Sequence, residues 1–234
     1  MAGRELSCGL ILFLTVSSAW AQPPSPSGSD PVLDQLKATA EDFERRVRSA
    51  GFAGTIPIPA ILLDTPPQLS KYTRQDNTIH TSRWEELAPD GQDNFKRWAG
   101  HAGDRTGKQL FDEMFHRFFF VHELGHWLQV QAKQDTNDVY SRELDANRLA
   151  VAYWRESDTP YLAALLARFR RISGGLPDPV PPGQDAERYF NSNYGKLGSN
   201  PDAYGWFQTR MVIRAGTERP VRTFAETVQR LSQK

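Results

Sequence analysis

The stretch FHRFFFVHELGHWL at positions 115–128 constrains this chain more than any other feature. Three consecutive aromatics at 118–120 cover most of a helix circumference, so a helix built here cannot lie on a surface and is expected to run through the core. The stretch is also too short to cross a bilayer, which takes about 20 apolar residues. Within it stand His122, Glu123 and His126. Positions four apart lie on one face of a helix, so His122 and His126 direct their imidazoles at one point, where they can hold one metal ion. Glu123 lies about 100° further round, close enough to reach a water on that ion. His80, His101 and His116 are expected to be structural or surface groups, and His116, six residues before His122, falls off the ligand face.

A catalytic metal of this kind takes three protein ligands and leaves one position open. No histidine follows His126, so the third ligand has to be a carboxylate on a later segment. Glu143 lies 143 − 126 = 17 positions on, in RELDANRLA. It shares a helix face with Asn147, and the small Ala146 and Ala150 allow that helix to approach the histidine-bearing one closely. Asp145, on nearly the opposite side, is the rival ligand, with a salt-bridged role the preferred reading.

HELGH followed by E-L-D-A-N is similar to the paired motif of the gluzincin superfamily of zinc metallopeptidases. The resemblance covers residues 122–126 and 143–150. It implies that Glu143 is the third zinc ligand, that Asn147 orients a ligating histidine, and that Glu123 is the general base of peptide hydrolysis.

The first 21 residues read as a secretory signal: Arg4, then an apolar stretch from Leu10 to Val16, then Ala19-Trp20-Ala21 as the cleavage site. A secreted or periplasmic location is therefore expected. Cys8 is the chain's one cysteine and leaves with the signal, so the exported chain has neither a disulfide nor a thiolate ligand for zinc. Residues 22–30, QPPSPSGSD, read as a flexible linker, and residues 31–234 as one zincin-like metallopeptidase domain. Lys plus Arg and Asp plus Glu number 28 each, with no long run of either sign, so a nucleic-acid partner is not expected.

The rest of the chain predicts an α+β fold, mostly helical, with a small N-terminal sheet. Asp30 and Pro31 open a helix that Gly51 ends, with Leu36, Phe43 and Val47 on its core face. Strands are expected at Ala60 to Leu63 and at Asn77 to Arg83. Further helices are expected from Lys108 to Lys133, Val139 to Glu156, Pro160 to Ile172 and Pro220 to Gln233, with a loop at 174–183 and an aromatic cluster between turns near 189–208. Tyr194, Tyr204 and His101 are the candidate donors to an oxyanion. The strand around Ile79 is expected to offer its edge to an extended peptide or protein substrate. Two other readings use the same ligands: a non-catalytic zinc module that binds a protein partner, and a zinc-dependent hydrolase of a non-peptide amide.

Overall fold

A computed structural model describes residues 30–52, 54–55, 57–64, 69–134 and 138–232. The expected signal peptide with its expected cleavage site at Ala21, and all of the expected linker except Asp30, lie outside the described residues.

The fold is mostly helical with one three-stranded sheet. Helix α1 (Pro31–Ser49) starts where the Asp30 carboxylate accepts the Val32 and Leu33 amides at 3.0 and 3.3 Å. Its buried face is Leu36, Ala40, Phe43 and Val47, and Gly51 ends the run at a positive φ of 88° that a side chain would resist. Strands β1 (Ala60–Leu63), β2 (Ser70–Thr73) and β3 (Thr78–Thr81) form a sheet in the order β1-β3-β2. Strand β3 runs parallel to β1 and antiparallel to β2, with Ile79 opposite Tyr72. Ile79 is thus central and fully buried, not at an edge as expected, and the expected strand is shorter at its C-terminal end. Strand β2 was not anticipated.

Next come α2 (Pro89–Ala102), which the sequence reading missed, and α3 (Gly107–Glu113), opened by the reciprocal Thr106/Gln109 capping box. The single helix expected over Lys108 to Lys133 is interrupted: Met114–Phe118 form a π turn before α4 (Phe119–Gln131) begins. Around that turn His116 leaves the ligand face and sets its Nε2 2.9 Å from the Ser82 carbonyl, tying the helix to the end of β3. Tyr161 Oη donates to the Glu113 carbonyl at 2.8 Å at the same junction.

Helices α5 (Val139–Ser157), α6 (Thr159–Gly175) and α9 (Phe224–Ser232) match expected helices, although α6 runs to Gly175 and α9 starts four residues late. The aromatic cluster expected between turns instead folds as α7 (Ala186–Leu197) and α8 (Pro201–Thr217). Each has a side-chain cap, Asp185 on the Arg188 amide and Asn200 on the Ala203 amide. No helix among the described residues is long and apolar enough to cross a membrane.

Helix α4 is the axis of the core. Phe119 to Gly125 are all buried, as are Trp127 and Leu128, and α1, β2, β3 and α5 pack around them. The approach of α5 is close: a Cβ placed on Gly125 would meet Ala146 Cα at 3.1 Å and Cβ at 3.3 Å. Two small residues here let the backbones come together. Gly125→Val is therefore expected to force α4 and α5 apart and to destabilise the fold by about 1–3 kcal/mol. Chemical denaturation checks this, and an unchanged midpoint would show that the contact is not tight.

Candidate metal centre

The α4 and α5 contact places His122 and His126, one turn apart on α4, against Glu143 on α5. The two imidazoles meet edge to face with centroids 4.6 Å apart. His122 Nε2 lies 3.2 Å from Glu143 Oε2, and His126 Nε2 lies 3.5 Å from Glu143 Oε1. One ligand atom from each residue falls within 4.8 Å of the others, the only group of three or more such residues among those described. His122 and Glu143 are buried, while His126 keeps 17% of its side chain exposed and so marks the open side.

Donor chemistry supports a metal here. His122 Nδ1 faces Asn147 Oδ1 at 3.0 Å, and His126 Nδ1 faces Gln129 Oε1 at 2.8 Å. An oxygen opposite each Nδ1 calls for N–H there, so each ring, once neutral, has its lone pair on Nε2, pointing inward. Two imidazole lone pairs and a carboxylate are what a borderline divalent ion binds.

Further groups surround Glu143. Gln208 Nε2 donates to Oε2 at 3.0 Å and Tyr194 Oη donates to Oε1 at 3.2 Å. Tyr204 Oη lies 2.9 Å from Gln208 Nε2, and Gln208 Oε1 accepts from Asn147 Nδ2 at 3.0 Å. Burial pushes the phenols of both tyrosines upward, with the charge of Glu143 adding to it, so both keep their protons. Glu123, also buried, accepts the Tyr72 amide N–H from β2 on Oε2 at 2.7 Å.

The structure thus brings His122, Glu123, His126, Glu143 and Asn147 together, with Tyr194 and Tyr204 beside them. Asp145 stays out, paired with Arg148 at 2.7 Å. His101 is placed elsewhere: its ring occupies the space a side chain on Gly175 would need, which removes it as an oxyanion donor at this centre. His80 pairs with Asp64 at 2.7 Å on the sheet. Sequence reasoning missed Tyr72, Gln129 and Gln208. Gln129 was within reach, three residues after His126 on the same helix face. Gln208 had a fainter signal, an amide directly after the apolar Trp206 and Phe207, separated from Met211 and Val212 by Thr209 and Arg210.

Comparison with protein-family models, with curated proteins and with solved structures finds no match to this chain.

Without metal, the centre is a charge-coupled pair. For His126, burial opposes the imidazolium, but the charge and hydrogen bond of Glu143, with help from Glu123 and Gln129, outweigh it and raise the pKa from 6.5 to about 9. For Glu143, burial opposes the carboxylate, yet the same histidines hold it well below 4.5. The raised histidine stabilises the metal-free fold fully below pH 6.5 and loses that contribution as pH rises through about 9. The depressed carboxylate contributes above 4.5 and loses it on acidification. A metal ion must displace the His126 proton to bind. Apparent affinity for a divalent ion is therefore expected to rise about tenfold per pH unit from neutrality to about pH 9, then level off, with one proton released per ion. Calorimetry in buffers of different ionisation enthalpy measures this, and a pH-independent affinity would contradict it.

Proposed function

We propose that the protein is an exported zinc metallopeptidase of the gluzincin kind, with a zincin-like domain whose ligands are His122, His126 and Glu143 and whose general base is Glu123. The observation that carries this reading is the Tyr72 N–H bond to Glu123. It holds an ionisable carboxylate beside a three-residue metal group without making it a fourth ligand. A purely structural zinc site is closed by four protein ligands and has no use for such a base. Two nitrogens and one carboxylate oxygen favour zinc over the hard oxygen-seeking ions.

A zinc ion bound by these residues supplies Lewis acidity that lowers the pKa of water and polarises a carbonyl. The chain's own groups do the rest. With Oε2 fixed by the Tyr72 amide, Glu123 Oε1 takes the proton of the attacking water and returns it to the leaving amine. The Tyr194 hydroxyl, protonated and next to Glu143, would turn its one proton from Glu143 Oε1 to the oxyanion as charge develops there. Tyr72 turns its N–H away from β3 toward Glu123, so the outer edge of β2, the edge of the sheet among the described residues, runs beside the base. An extended peptide pairing with that edge would be presented to Glu123, which gives β2 the role first expected of the strand at Ile79. Export rests on the sequence of residues 1–21 alone.

Glu123→Gln is expected to keep one zinc per chain and lose about 10²–10⁴-fold in kcat on a peptide substrate. Tyr194→Phe is expected to lose about 10²–10³-fold in kcat with KM little changed. A proteome-derived peptide library digested by the protein from its exported fraction supplies the substrate. Full activity in Glu123→Gln would remove the base, and cleavage of no peptide by wild type would turn the reading toward a non-peptide amide.

A further inference from the structure

The ligand set on which the proposed function rests needs His122 in one tautomer, and something must select it. We infer that Gln208 is the positioning residue that does so, acting through Asn147 and taking its own orientation from the charge of Glu143.

Three hydrogen bonds link His122, Asn147, Gln208 and Glu143: 3.0 Å from His122 Nδ1 to Asn147 Oδ1, 3.0 Å from Asn147 Nδ2 to Gln208 Oε1 and 3.0 Å from Gln208 Nε2 to Glu143 Oε2. Glu143 Oε2 then stands 3.2 Å from His122 Nε2, two acceptors that a cation between them would satisfy, which closes the ring. All four residues are buried, Asn147 completely, so water does not substitute for a wrong partner. A carboxamide has a donor end and an acceptor end of nearly the same shape, and its neighbours decide which way it faces. Glu143 is ionised and only accepts. It therefore draws the NH₂ end of Gln208, whose second hydrogen is taken by the Tyr204 hydroxyl oxygen at 2.9 Å, one helical turn earlier on α8. A reversed Gln208 would set its oxygen against a carboxylate.

With Nε2 so committed, Gln208 Oε1 faces Asn147 and requires Nδ2 there. Asn147 then presents Oδ1 to His122, the ring carries its proton on Nδ1, and the Nε2 lone pair faces the ligand position. Each contact forces the next, so the negative charge of the third ligand dictates the tautomer of the first. His126 follows the same rule on a shorter path. Gln129 Nε2 donates to the Arg142 carbonyl at 2.8 Å, and that acceptor turns Gln129 Oε1 toward the His126 ring.

The ring makes a prediction that simple packing does not. Gln208→Met frees the Asn147 amide to turn and is expected to weaken zinc binding by about 10–100-fold. Asn147→Asp, isosteric and normally a stronger partner for a histidine, is expected to weaken binding too, because its carboxylate meets Gln208 Oε1 acceptor to acceptor. Combined, the two changes are expected to bind at least about tenfold tighter than Gln208→Met alone, since a carboxylate accepts from Nδ1 in either orientation once the Gln208 oxygen is gone.

Zinc affinity by chelator competition on the full chain, with melting temperature alongside and His122→Ala as reference, tests this. Loss of binding in His122→Ala together with rescue in the double variant supports the ring. Wild-type affinity in Gln208→Met, unchanged or tighter binding in Asn147→Asp, or additive losses in the double variant would overturn the ring while leaving the metal centre in place. Equal binding by wild type and His122→Ala would instead refute the metal centre. If Gln208→Met fails to fold, Asn147→Asp decides alone: weaker binding supports the ring and undiminished binding overturns it.

Discussion

Glu143 is a carboxylate sunk into an apolar core, and such a charge costs several kcal/mol unless it is paired and fully hydrogen-bonded. Its two oxygens are met by His122 and His126 from α4, Gln208 from α8 and Tyr194 from α7. Three helices therefore have to come within hydrogen-bond reach of one residue of α5. The Gly125 and Ala146 contact makes this feasible, because it lets α4 approach α5 at backbone distance and carries the two imidazoles with it. The apolar packing of Phe118, Phe120, Val121 and Leu124 on the other sides of α4 then fixes its rotation.

The small sheet has a different task. Its central strand is buried and its β2 edge reaches α4, where the Tyr72 amide holds the Glu123 carboxylate. The π turn, with His116 bound to the Ser82 carbonyl, anchors the helix to the strand that orders this edge. The His122, His126 and Glu143 cluster and the Glu123 carboxylate thus depend on two separate supports, the helical pair for the cluster and the sheet for Glu123. Both converge on five consecutive residues of α4.

The grouping of His122, His126 and Glu143 was legible because it obeys helix periodicity. A four-residue spacing set the histidine pair, the lack of later histidines pointed to a carboxylate, and small residues beside Glu143 signalled close helix packing. Capping chemistry at Asp30 and Pro31 likewise marked α1. What escaped was set by tertiary context. Helix α2 contains Gly91 and Gly100, which lower local propensity, and it holds because Phe95, Trp98, Ala99 and Ala102 bury one face. The segments of α7 and α8 carry turn-like Asn and Gly residues that caps and aromatic packing override. The order β1-β3-β2 depends on which strands pair at long range, so the reading of Ile79 as an edge had no local signal to correct it. Gln208, 65 residues from Glu143, is a partner that only the fold reveals.

The proposed function needs one zinc ion at one place. Anomalous diffraction from crystals of the protein, recorded on both sides of the zinc absorption edge, tests this most directly. A single strong zinc-specific peak bonded to His122 Nε2, His126 Nε2 and Glu143, with Glu123 outside the coordination shell, is expected. A zinc peak elsewhere, a fourth protein ligand closing the ion, or no peak from zinc-supplemented crystals would contradict it.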